Sequence, residues 1–64
     1  MNWIDINKEQ PVWYSNVELM VDGKVEQHWH RLTDGDIVYY GSLKTNRIIL
    51  ENDVSHWRQL EYVT

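Results

Sequence analysis

Between residues 17 and 40 apolar and polar positions alternate with a period of two. Val17, Leu19 and Val21 alternate with Glu18 and Met20; Val25, Gln27, Trp29 and Arg31 alternate with Glu26, His28 and His30. Such a period sends successive side chains to opposite faces of a half-buried strand. Asp22-Gly23 separates the first two runs and Asp34-Gly35 precedes Ile37-Val38-Tyr39-Tyr40, a run rich in β-formers. Both dipeptides read as hairpin turns, so a three-stranded antiparallel meander is expected.

Register follows from matching faces. A two-residue loop at Asp22-Gly23 pairs Leu19 with Glu26, apolar against charged, whereas a three-residue loop pairs Leu19 with Val25. The same loop at Thr33-Asp34-Gly35 pairs Trp29 with Tyr39 and Arg31 with Ile37. Both turns then agree on one apolar face: Val17, Leu19, Val25, Trp29, Ile37 and Tyr39. The opposite face, Glu18, Met20, Glu26, His28, His30, Leu32, Val38 and Tyr40, is mixed, and a further segment or a second subunit is expected to cover part of it.

Arg47-Ile48-Ile49-Leu50 reads as a short fourth strand and Asn52-Asp53 as a turn. Val54 to Tyr62 fits two readings: a helix capped by Asp53 with Val54, Trp57 and Leu60 on one side, or a final strand beginning Val54-Ser55-His56-Trp57. Trp3-Ile4-Asp5-Ile6 reads as an edge segment, followed by a turn at Asn7 to Pro11. The fold expected is all-β or β-rich. Residues 1–64 form a single domain on a small antiparallel meander sheet of three to five strands, with a short C-terminal helix as the alternative ending.

Composition sharpens this picture at one point: the chain has four Trp and four Tyr but no Phe. Every aromatic ring therefore carries an N–H or O–H that needs a partner when buried. A chain of 64 residues buries only about 60% of its unfolded surface, and without Cys it has no disulfides to compensate. Oligomerisation is a standard remedy. The net charge of −4 argues against polynucleotide binding, which needs Lys and Arg to displace counterions. No apolar run is long enough to span a membrane, and no signal pattern opens the chain, so a cytoplasmic protein is expected.

Candidate chemistry is sparse. His28 and His30 leave one face of a strand and could chelate an ion with His56 as a third ligand, but solvated surface histidines are the simpler reading. No nucleophile motif, phosphate loop or dinucleotide fingerprint is present, so no enzymatic activity and no cofactor are implied. Arg47 with Arg58 could hold a small anion. Trp13, Trp57, Tyr14, Tyr40 and Tyr62 divide between core or subunit contact and ligand contact, since Trp and Tyr serve both.

Val54-Ser55-His56-Trp57-Arg58-Gln59-Leu60 resembles the V-T-H-W-x-x-L ending of a family of small phage and prophage proteins of unknown function. Trp3-Ile4 with Pro11, the strand Val17 to Val21 with Gly23 beyond it, and Trp29 match further elements of that family. Glu61 stands where the family usually has Pro. The resemblance implies a phage-encoded protein acting in the bacterial cytoplasm and supplies no catalytic residues. Two counter-defence roles suit such a protein. In the first, a homo-oligomer sequesters a nucleotide signal: bases stack on Trp57 or Tyr40, phosphates pair with Arg47 or Arg58, and Thr45, His28, His30 and His56 add hydrogen bonds. In the second, an aromatic surface blocks a host protein. An accessory structural role is the third.

Overall fold

In the computed structural model, which describes residues 3–60, the strands are β1 (Ile4–Asp5), β2 (Asn16–Val21), β3 (Lys24–Asp34), β4 (Ile37–Ser42), β5 (Ile48–Leu50) and β6 (His56–Gln59). A 3-10 turn, Glu51–Asp53, links the last two. All six lie in one sheet in the order β1-β6-β2-β3-β4-β5, with every neighbour antiparallel. Strands β2 to β5 form the meander. The chain then returns through the 3-10 turn and Val54 to place β6 between β2 and β1.

Within the described residues, the segment from Val54 to Leu60 therefore carries a strand, His56–Gln59, rather than a helix. Trp57 lies opposite Leu19 on one side and Ile4 on the other. A helix here would leave the edge of β2 with unpaired backbone groups, which is costly wherever water is excluded. Asp53 closes the 3-10 turn and caps no helix. Tyr62 lies outside the described residues.

Both hairpins are tighter than the face-matching argument requires. Val21 pairs with Lys24 across a two-residue loop, Asp22 (φ 51) and Gly23 (φ 76). Two successive positive φ angles are what a type I′ turn demands, and Asp-Gly is a favoured sequence for it. Leu19 thus does face Glu26. A β-bulge then restores the core: Leu19 opposes Glu26 but Val17 opposes Trp29, so β3 carries one extra residue at Gln27-His28. His28 sits there at φ 66, left-handed backbone that costs a non-glycine residue about 1–2 kcal/mol. The two-residue turn sets Val25 opposite Met20, away from the core, and the extra residue beyond it turns Trp29 into the core.

The second hairpin closes at Gly35-Asp36, pairing Asp34 with Ile37 and Arg31 with Tyr40. Only Gly35 has positive φ, the pattern of a type II′ turn. Relative to the expected register β4 has slipped by an odd number of residues, which exchanges its two faces. Tyr40, not Tyr39, therefore enters the core; Ile37 and Tyr39 point the other way.

One face of the sheet, the front, is covered by the loop from Ile6 to Ser15 and by the segment returning to β6. Between them lie Ile6, Val17, Leu19, Trp29, Tyr40, Val54 and Trp57, all buried, with Ile4, Val21 and Ile49 packed against them. The three buried rings dominate this small core, each removing roughly 150–250 Å² from water. Two of their polar atoms have partners: Trp57 Nε1 donates to the Glu9 carbonyl at 2.8 Å, and Tyr40 O–H donates to Glu51 Oε1 at 3.1 Å. Tyr and Trp in place of Phe tie the core to the strap over it.

Candidate binding surface

Each arginine of the chain meets both a carboxylate and an indole ring. Arg31, on the front face of β3, donates from Nε and Nη2 to Glu51 Oε1 at 3.2 and 3.0 Å, and from Nη1 to the Pro11 carbonyl at 3.4 Å. Its guanidinium lies 4.1 Å from the centroid of Trp13. Arg31, Tyr40 and Glu51 thus fasten the N-terminal loop and the 3-10 turn to the sheet. Burial, and next the negative charge of Glu51, push the Tyr40 phenol well above the ordinary tyrosine range, so it stays a donor.

Arg58 is on the opposite, back face of β6, donating to Glu18 Oε2 at 3.1 Å with its guanidinium 4.3 Å from Trp3. Glu18 is buried, and a buried carboxylate without such a partner would be strongly unfavourable. Arg47 is held more loosely: its ion pair to Glu26 spans 3.8 Å, its guanidinium is 5.6 Å from Trp29, and its side chain is 64% exposed.

The residues expected to form a nucleotide site are dispersed by this fold. Tyr40 and Trp57 are in the core, Tyr40 at 0% exposure and Trp57 at 5%, so neither ring offers a face for stacking. Arg47 reaches over Trp29 on the front, whereas Arg58 lies over Trp3 on the back of β6, so the sheet itself stands between the two guanidinium groups. They form no anion clamp. Thr45 is exposed in the β4–β5 loop, where its Oγ1 accepts the Arg47 N–H. His56 contacts the Ser55 hydroxyl through Nδ1 at 3.0 Å. His30 lies on the back beside Gly41, and His28 occupies the bulge. Among the described residues no three His, Asp or Glu side chains converge as metal ligands would.

Concave surface is also acidic in character. A shallow hollow of about 300 Å³ is lined by Asp36, Ile37, Val38, Leu50, Glu51 and Asn52. Another, of about 180 Å³, is lined by Ile6, Asn7, Gln10, Glu51, Asn52 and Val54. Neither brings a cation toward a phosphate.

The back face divides into two halves. Under β6 and β2 it is polar and occupied by Glu18, Arg58 and Trp3. Under β3, β4 and β5 it is apolar and, among the described residues, uncovered. The pairs Leu32–Tyr39, Tyr39–Leu50 and Gly41–Ile48 place these side chains together, with Ile37 at the end of β4. Ile48, Ile37 and Leu50 are 63%, 57% and 48% exposed. Gly41 contributes to the flatness here: a Cβ at this position would stand 2.9 Å from Leu32 Cδ1 and 3.4 Å from His30 Nε2, which lie across it. Asp34, paired with Ile37, and Asp36 in the adjoining turn give this patch an acidic border.

Ile37, Tyr39, Ile48 and Leu50 were not singled out by the sequence as surface residues. The signal that finds them is the Gly35-Asp36 turn: a two-residue loop fixes which of Tyr39 and Tyr40 faces outward. The Arg31–Glu51–Tyr40 group has no comparable signal, because it joins residues far apart in the chain. Comparison with known proteins gave no match to a family model, a curated protein or a solved structure.

Proposed function

We propose that the chain is a non-enzymatic binding protein that holds another protein against the apolar half of its back face. The observation that carries this reading is the open strip of Ile37, Tyr39, Ile48 and Leu50 beside Leu32. Contiguous exposed apolar surface rimmed by polar residues is a usual mark of a protein contact. The acidic border at Asp34 and Asp36 selects a partner whose apolar surface is ringed by Lys or Arg. Following the resemblance to small phage and prophage proteins, we place that partner in an infected bacterial cell, where this chain acts as an inhibitor by occupancy. Nucleotide sequestration, the other role expected from the sequence, needs guanidinium groups free for phosphate. The close carboxylates on Arg31 and Arg58 weigh against it.

The test compares the wild-type chain with the Ile37→Lys/Ile48→Lys variant as immobilised baits in bacterial lysate, followed by titration of any discriminating partner in purified form. The reading requires a partner that binds wild type in a defined ratio and loses at least about tenfold in affinity for the variant. A screen against cyclic and linear nucleotides runs in parallel. A nucleotide that raises the melting midpoint, with no protein distinguishing the two baits, overturns the reading.

A further inference from the structure

We infer that the outer edge of β5 pairs with the β5 edge of a second copy of this chain, antiparallel, about a two-fold axis at Ile49. A strand at the border of a sheet presents unpaired backbone groups, and proteins usually blunt such edges with charge, proline, a bulge or brevity. The two borders here differ. At β1 the edge is two residues long and includes Asp5, whose carbonyl accepts the Lys8 and Glu9 N–H groups and whose side chain accepts the Asn7 N–H at 2.8 Å. At β5 the edge is Ile48-Ile49-Leu50, without charge, proline or bulge, and no described strand lies beyond it.

The backbone phase of β5 suits self-pairing. Ser42 N donates to the Arg47 carbonyl at 3.1 Å, continuing the register Gly41–Ile48 and Tyr40–Ile49. In an antiparallel ladder hydrogen-bonded and non-bonded pairs alternate. Ile49 therefore directs its amide groups inward to Tyr40, while Ile48 and Leu50 direct theirs to the open edge. With the axis at Ile49, Ile48 meets Leu50 of the second copy and the two exchange hydrogen bonds at both ends.

The side chains are self-complementary in the same register. Arg47-Ile48-Ile49-Leu50-Glu51 carries a cation at one end and an anion at the other. Antiparallel pairing about Ile49 sets each Arg47 opposite a Glu51; parallel pairing would set like charges together. Both lie on the front, since Arg47 reaches over Trp29 and Glu51 bonds Tyr40. The Glu51 bonds to Arg31 and Tyr40 all end on Oε1, leaving Oε2 for the incoming guanidinium. On the back, Ile48 and Leu50 of each copy cover one another, and the two apolar strips join across the axis into one larger face. Self-pairing stands on β5 alone, whatever that face binds.

So short an edge gives a weak dimer, at the low end of specific interfaces. Sedimentation equilibrium of the whole chain from about 10 µM to 1 mM at low ionic strength should show a reversible shift from 7.8 kDa toward twice that mass, weakening as salt screens the ion pairs. Leu50→Pro tests the edge itself. Leu50 has φ −75, which proline adopts readily, and its N–H points outward, so only the intermolecular donor is removed. That variant should stay monomeric with an unchanged circular dichroism spectrum. Arg47→Glu opposes two pairs of carboxylates and should weaken association by about tenfold or more. A wild-type chain that is monomeric at 1 mM, or a dimer that Leu50→Pro and Arg47→Glu leave intact, overturns the assignment.

Discussion

The two faces of this sheet are built from similar residue types yet do opposite work. On the front, Trp29, Tyr40 and Trp57 are buried with aliphatic neighbours, and a strap of loop and 3-10 turn is hydrogen-bonded over them. On the back, Ile37, Ile48 and Leu50 are exposed and Tyr39 between them half-buried, and among the described residues no segment covers this equally apolar strip. Hydrophobicity does not separate the two. What separates them is whether the backbone supplies a cover and whether polar atoms at the margin find partners in it. An apolar face without a cover stabilises the monomer little and is available for association.

That contrast can be broken most forcefully from the front. Leu19, at 0% exposure, should cost about 2–5 kcal/mol when replaced by Ala, enough to unfold much of so small a domain. A urea titration reads this as a lower midpoint or a missing transition. Next comes the bulge that steers Trp29 inward. His28→Val forces a β-branched residue into left-handed backbone and should lose about 1–2 kcal/mol, whereas His28→Gly should match or exceed wild type. Thermal melts of the pair decide it, because loss of a specific imidazole contact would destabilise both variants.

Tyr40→Phe should cost about 1 kcal/mol through the lost bond to Glu51. It should also change the alkaline behaviour. The folded state holds the Tyr40 phenol above its ordinary value of 10.0, so its contribution is complete below pH 10. Above that, the unfolded chain releases this proton first, and stability falls as pH rises. Melting midpoints from pH 9 to 11.5 should fall more steeply for wild type than for Tyr40→Phe. Smallest of all, Ile37→Thr and Ile48→Thr on the back should change monomer stability by no more than about 0.5 kcal/mol.

Much of this was legible in the chain. The period of two and the Asp-Gly pairs announce the antiparallel meander, and Arg47 to Leu50 announces its last strand. Face assignment was harder. Matching Leu19 with Val25 assumes that two strands stay in regular register, but the bulge at Gln27-His28 breaks it, and no glycine marks the spot. Glu26 opposite Leu19 is tolerated because Arg47, distant in sequence, meets its carboxylate. Tyr39 and Tyr40 exchanged roles for a related reason: the turn is Gly35-Asp36 rather than Thr33-Asp34-Gly35, shorter and further along, which shifts the register by three residues. At β6 the local pattern of Val54 to Leu60 suits helix or strand, and only the waiting edge of β2 decides between them. Arg47 and Glu51 flanking Ile48-Ile49-Leu50 were visible throughout, but their opposition has meaning only once β5 is known to be an edge.

The difference between covered and uncovered regions is tested most directly by amide hydrogen exchange, residue by residue, at about 20 µM and about 1 mM. With rising concentration, exchange should slow at Ile48 and Leu50, whose N–H groups face the open edge. It should stay unchanged at Ile49, already bonded to β4, and at Ile4 and Asp5 on the opposite border. Exchange that is independent of concentration at Ile48 and Leu50, or slowing that falls on β1 instead, would contradict the account.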